Sequence, residues 1–110
     1  MEESNQLAQE VTQLHADICS ALADPRRILL LYSITNQSRN VSDLAAETGI
    51  SQSAASRHLK ILRDRGLVKP VRQGASVEYH LTDTRLIDAL DLLRSVLRDR
   101  LAYRANLLRE

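Results

Sequence analysis

The stretch Val41 to Arg65, VSDLAAETGISQSAASRHLKILRDR, decides the fold. Its first half sets Leu44 and Ala45 on one helical face and ends at Thr48-Gly49, where a glycine relieves the strain of a left-handed helix end. Ile50 follows as an apolar plug for the corner. Ser51 is a residue type that accepts a hydrogen bond from a first-turn amide, so it is the predicted N-cap of a second helix running from about Gln52 to Arg65. A connection this short makes the two helices cross, and crossing helices on a short glycine-containing turn form a helix-turn-helix.

Around the axis of the second helix, at about 100° per residue, Ala55, Leu59 and Leu62 form one stripe, the side that packs on other helices. Ser53, Ser56, Arg57 and Lys60 fall on the opposite side. These residue types suit groove recognition: hydroxyls donate or accept at base edges, arginine offers a planar fork to guanine or phosphate, and lysine attracts phosphate. Gln52, at the N-terminal end, carries an amide able to pair with adenine. The plainer reading is a polar face turned to water, as on any soluble helix. The coincidence of turn, small residues and local basicity favours nucleic-acid binding.

A chain of 110 residues suffices for one modest core, so residues 1–110 are expected to form a single domain. With no Phe or Trp and three Tyr, that core must come largely from Leu, Ile, Val and Ala, and Leu-rich periodic chains are usually helical. Net charge is only +1, but its distribution is uneven. Residues 1–24 carry five acids and no Lys or Arg; residues 57–72 carry six bases, Arg57, Lys60, Arg63, Arg65, Lys69 and Arg72, against the single acid Asp64. The basic block supplies phosphate attraction beside the recognition helix, and the acidic arm belongs on the far side from DNA. One cysteine, Cys19, excludes an intramolecular disulfide. No apolar run approaches the roughly 20 residues of a membrane span, and the acidic N-terminus is unlike a signal peptide, so a cytoplasmic protein is expected.

Outward from the central stretch, the apolar positions Leu7, Val11, Leu14, Ile18 and Ala21 or Leu22 predict an amphipathic helix from about Glu3 to Leu22 with a coiled-coil-like seam. Asp24-Pro25 marks a boundary, and Asp24 is a candidate cap for a helix from Pro25 to about Thr35 that buries Ile28, Leu29, Leu31, Tyr32 and Ile34. Arg26 and Arg27 at its start are solvated charges or partners of Asp24, with a phosphate contact as the alternative. Asn36 to Asn40 reads as a loop.

After Gly66 the apolar period changes to two, predicting a β-hairpin with its tip near Gln73 to Ser76, Pro70 on an edge, and His80 on the surface. Arg72, near the tip, is placed for the phosphate backbone or minor groove, or is simply solvated. A final helix from Thr82-Asp83 to about Leu108 bears Leu86, Ile87, Leu90, Leu93, Val96, Leu97, Leu101 and Leu107 or Leu108. So small a body covers only part of that stripe, so both terminal helices are expected to pair with a second copy of the chain.

This order of elements resembles the ArsR/SmtB family of dimeric winged-helix repressors. The residues carrying the resemblance are Ala21-Leu22-Ala23-Asp24-Pro25-Arg26-Arg27 with Leu29-Leu30-Leu31, Leu44-Ala45, Ser51 through Leu62, Gly66-Leu67-Val68, and Arg72-Gln73-Gly74 leading to Tyr79-His80-Leu81. The resemblance implies a mainly α fold, a winged helix-turn-helix of about five helices with a two-stranded hairpin wing, dimerised through its terminal helices. It also implies a roughly palindromic double-stranded DNA operator and release by an inducer. Its DNA contacts fall on Gln52, Ser53, Ser56, Arg57 and Lys60, with Arg72 on the wing, and His58 matches a position where the family often has histidine. Here His58 reads as flanking the core and fixing helix contacts.

The family's inducer sites do not carry over. The thiolate pattern at the start of its third helix falls on Asn40-Val41-Ser42-Asp43, without cysteine, and the final helix offers Asp83, Asp88, Asp91 and Asp99 but no imidazole. No cofactor or metal is expected on these grounds. Cys19 and His15, four apart on the first helix, are a candidate sensing pair for an ion or an oxidant; the plainer reading is a small buried thiol beside an exposed histidine. A winged-helix module for protein contact is the alternative to a DNA-binding regulator, and an enzyme is not expected: the chain shows no nucleophile with a base motif and no Gly-rich phosphate loop.

Overall fold

Local capping chemistry sets the element boundaries. In the computed structural model, which describes residues 2–109, the order is α1 (Glu2–Leu14), a π-helical turn (His15–Cys19), a 3-10 turn (Ala21–Ala23), α2 (Pro25–Ser33), β1 (Arg39–Asn40), α3 (Val41–Thr48), α4 (Gln52–Asp64), β2 (Val68–Gln73), β3 (Ser76–Leu81) and α5 (Arg85–Arg109). Asp24 caps α2 by accepting from the Arg26 amide at 2.9 Å, with Pro25 at a first-turn position that needs no N–H donor. Asn40 caps α3 through the Asp43 amide at 2.8 Å, and Ser51 caps α4 through the Ala54 amide at 3.1 Å. Between them Gly49 takes φ 74°, its N–H reaching the Ala45 carbonyl at 2.9 Å, a left-handed end that a side chain would strain.

The core gathers around six fully buried side chains, Leu30, Leu31, Leu44, Leu59, Leu62 and Val68, with Ala21, Ile34, Leu67, Ile87 and Leu90 at its edge. It contains no aromatic ring; Tyr32 and Tyr79 pack against its margin. Helix α4 lies against α2, α3 and β2, and through them is held on its inner side. The sheet runs β1-β3-β2, all antiparallel, and Pro70 sits opposite Tyr79 on the edge strand β2, where a missing donor is tolerated. Helix α5 is tied to α2 by the Tyr32 hydroxyl, which donates to Asp91 at 2.7 Å, and by the Arg94 guanidinium 5.2 Å from the Tyr32 ring centroid. Past that anchor Val96, Leu97, Leu101 and Leu107 are exposed, and α1 buries none of its residues.

Several sequence expectations need correction. The wing belongs to a three-stranded sheet: Arg39 and Asn40, placed in a loop, pair with Tyr79 and Glu78, and Ser38 donates to Glu78 at 2.7 Å. Two residues carry no period, so only their neighbour makes them a strand. The helical run expected from Glu3 to Leu22 is present but not uniform: after Leu14 it widens into a π-helical turn, the Ser20 amide reaching back five residues to the His15 carbonyl at 2.9 Å, and it closes in a 3-10 turn that holds Ala21 in the core. Along α2 and its C-cap the inward stripe is Arg27, Leu30, Leu31 and Ile34, spaced i, i+3, i+4, i+7; Leu29 lies off it and is 51% exposed. Helix α2 ends at Ser33, and His80 is half-buried, its Nε2 shielded and without a hydrogen-bond partner among the described residues.

Leu59→Ala, at a fully buried contact on α4, should lower unfolding free energy by about 3 kcal/mol in a urea titration. A second expectation concerns acid. Hydrogen bonds from the Arg85 side chain and amide pull the Asp83 carboxyl down to about 2, and the Arg26 side chain and amide hold Asp24 well below the ordinary carboxylate range. Both folded values lie below the unfolded 3.8, so the stabilisation is complete above roughly pH 4 and is lost as pH falls through the folded values. Stability measured from about pH 5 down to pH 2 should therefore decline less steeply in Asp24→Asn and Asp83→Asn than in the parent.

Candidate nucleic-acid interface

Helix α4 divides cleanly between its two sides. Ala54, Ala55, His58, Leu59 and Leu62 are buried; Gln52, Ser53, Ser56, Arg57 and Lys60 are all exposed. A single cap at Ser51 and a single left-handed residue at Gly49 start this helix in a fixed rotation, so burial of the inner set turns the outer set to solvent. The five recognition-helix candidates are thus brought onto one surface. Gln52 is not free on it: its Nε2 donates to the Ser42 hydroxyl on α3 at 3.0 Å, a tie that nothing in its local sequence announces. The Ser53 hydroxyl lies 3.2 Å from that of Ser51.

Arg57, Lys60 and Arg72 form no ion pair among the described residues, which leaves three cations available to phosphate. Other basic residues of the block are partly engaged. Arg63 is 3.7 Å from Asp64, and Arg65 lies 3.9 Å from Asp17 while donating to the Ala16 carbonyl. Arg72 is exposed on β2, opposite Val77 and one residue from the Gln73–Ser76 pair that closes the wing; Gly74 turns the tip at φ 62°.

Arg26 and Arg27 have distinct roles. Arg26 forks onto Asp24, Nη2 to Oδ2 at 2.8 Å and Nε to Oδ1 at 3.1 Å, as one of the sequence alternatives held. Arg27 instead points inward, donating to the Ala21 carbonyl at 2.6 Å and to His58 Nδ1 at 3.3 Å. The latter contact spans 31 residues, beyond any local pattern. His58 is 7% exposed, and its placement against the core agrees with the structural role expected of it.

The buried-thiol reading of Cys19 is overturned: both Cys19 and His15 are exposed, because the π-helical turn carries them outside the core. Among the described residues no three His, Cys, Asp or Glu side chains gather as a metal site. No described helix is long and apolar enough to cross a membrane.

Five helices, a helix-turn-helix with an exposed polar and basic outer face, and an adjoining antiparallel wing define a winged helix-turn-helix DNA-binding protein. Residues 24–69, from the α2 cap to the second residue of β2, match the profile of the bacterial regulatory protein arsR family. The chain belongs to this ArsR family of DNA-binding transcriptional regulators. It is 40% identical over 93 residues to the transcriptional repressor SmtB homolog of Synechocystis sp., covering 80% of this chain and 70% of that protein. It is 42% identical over 76 residues to the transcriptional regulator NmtR of Mycobacterium tuberculosis, covering 69% of this chain and 63% of that one. A homodimeric winged helix-turn-helix DNA-binding domain from Mycobacterium bovis superposes with a TM-score of 0.77 at 28% identity, covering 89% of this chain and 90% of that one. NolR from Sinorhizobium fredii superposes with a TM-score of 0.72 at 32% identity, covering 81% and 89%.

Proposed function

We propose that this chain is a homodimeric, operator-specific repressor, with Gln52, Ser53, Ser56, Arg57 and Lys60 of each α4 in a major groove and Arg72 of each wing on the flanking backbone or minor groove. The observation that carries the proposal is the set of unpaired cations, Arg57 and Lys60 on the outer face of α4 and Arg72 on the wing, beside small hydroxyls that let the helix approach base edges. The Synechocystis relative named as a transcriptional repressor supports the direction of control, and the homodimeric neighbour from Mycobacterium bovis supports the assembly.

The terminal helices are the proposed dimer surface. Leu7 is 62% exposed on α1 and Leu93 62% on α5, with Val11, Leu14, Val96, Leu97 and Leu101 extending the two stripes. Charge favours laying α1 of one copy on α5 of the other: α1 holds Glu2, Glu3 and Glu10 with no base, while the outer half of α5 holds Arg98, Arg100, Arg104 and Arg109 against Asp99. A groove of 720 Å³ where the π-helical turn meets α5, lined by Leu14, Ile18, Leu67, Leu86 and Ala89 among others, continues the same apolar surface. An effector that changes the spacing of the two α4 helices is the proposed means of release from the operator.

Replacing Arg57 and Lys60 together with Ala should weaken binding to a duplex selected from random DNA and lower the slope of log affinity against log salt by about 1.8, while the dimer persists. An unchanged slope would reject this face as the phosphate contact. Leu97→Glu on α5 should shift sedimentation toward the monomer without loss of helical signal, since that side chain is 54% exposed and stands outside the core of its own protomer. A dimer undisturbed by that change would place the interface elsewhere.

A further inference from the structure

We infer that Arg27 is a positioning residue for DNA binding: it ties the end of the N-terminal helical segment to His58 on α4, fixing the recognition helix relative to the dimer arm, and it does so only while His58 is uncharged. The inference rests on the reading of the outer face of α4 as the DNA contact.

Three bonds converge on one part-buried guanidinium. Nε donates to the Ala21 carbonyl at 2.6 Å, Nη2 to the Ser20 carbonyl at 3.4 Å, and Nη1 to His58 Nδ1 at 3.3 Å. The two carbonyls lie in the last turn of the helical run that begins with α1, where carbonyl oxygens carry partial negative charge and favour a cation; the Ser20 carbonyl also accepts from the Ala23 amide at 3.3 Å. Arginine is a donor only, so Nδ1 must be the acceptor and the imidazole must be the neutral tautomer protonated at Nε2. Arg27 therefore stands between two elements with different duties. One leads to the proposed dimer surface; the other carries Arg57 on the residue next to His58, pointing out.

Protonation of His58 would remove the acceptor and set a cation against Arg27. The charged groups acting on the imidazole are Asp24 before α2, Arg26 and Arg27 on α2, and Arg57 on α4 itself. Burial lowers its proton affinity most, the three arginines lower it further, and Asp24 alone opposes them. Asp24 is already forked by Arg26, at 2.8 and 3.1 Å, and has little left to offer an imidazolium. Proton uptake when the pH falls below the ordinary histidine value therefore comes with loss of the Arg27 tie.

The expected sign is unusual. A histidine that touched phosphate would tighten binding in acid, whereas this one should loosen it. The experiment uses the full chain as its dimer and a duplex selected by that protein from random DNA, with fluorescence anisotropy at constant ionic strength from about pH 7.5 to about pH 5.5. Affinity of the parent should fall at the acid end of that range, by less than about tenfold, because the imidazole takes up its proton only below the ordinary histidine value. His58→Asn retains an acceptor near the position of Nδ1 and takes no proton, so its profile should be flat.

Arg27→Lys keeps the charge but not the fork. It should bind more weakly at both pH values with the salt slope of the parent, since no phosphate contact is lost. A parent profile that is flat or rises in acid overturns the inference, as does a His58→Asn profile that falls like the parent's, which would move the titration to His15, His80 or another group. If Arg27→Lys fails to fold, the His58→Asn profile decides alone. The Arg57→Ala, Lys60→Ala double variant separates the two levels: indifference to it sinks both readings, whereas sensitivity to it with a pH profile unaltered by His58→Asn sinks only this one.

Discussion

Two alanines and two leucines on the inner side of α4 aim everything on its outer side. Ala54, Ala55, Leu59 and Leu62 are buried against α2, α3 and β2, and the helix has no freedom to roll without exposing them. Small residues at 54 and 55 let α4 come close to its neighbours, and the leucines one and two turns on supply most of the apolar area. Burial of a leucine contributes on the order of 2 kcal/mol, so a rotation that freed even one would be disfavoured about thirtyfold. The exposure of Ser53, Ser56, Arg57 and Lys60 is a consequence of that packing.

The same constraint lets a chain of little net charge turn a basic face outward. A net charge of +1 gives no general attraction to a polyanion. Of the acids between α1 and α2, Asp24 and Asp17 are placed against Arg26 and Arg65. The cations left unpaired among the described residues include Arg57, Lys60 and Arg72, so the attractive field is local and directed. The wing adds to it at small cost, because a hairpin braced by β1 and by the Thr82 hydroxyl on the Gly66 carbonyl at 2.6 Å carries Arg72 on a supported strand.

At the other end, α1 and α5 stand largely outside the core they flank. Only Ile87 and Leu90 of α5 are buried, and the Tyr32, Asp91 and Arg94 cluster ties the next turn of the helix to α2. Exposed leucines along both terminal helices are an unfavourable arrangement for an isolated chain and a natural one for a paired chain. Arg27 spans the gap between this outer layer and the recognition helix, with bonds to Ser20, Ala21 and His58.

Much of this was legible in the residues themselves, because it depends on neighbours in sequence. Ser51 as cap, Gly49 as the left-handed stop, the inner stripe of α4 and the hairpin tip between Gln73 and Ser76 are set by local hydrogen bonding, φ preference and apolar period, and each stands where those rules put it. What tertiary structure alone decided depends on distant partners. Arg39 and Asn40 become a strand only beside Tyr79 and Glu78, the first helix widens to a π-helical turn ahead of the buried Ala21, and Leu29 rather than Leu30 is left outside because α2 is covered along one particular stripe. The inward turn of Arg27 and the tie of Gln52 to Ser42 belong to the same class: each joins groups many residues apart, and no periodicity or short motif encodes a bond whose acceptor lies on another helix.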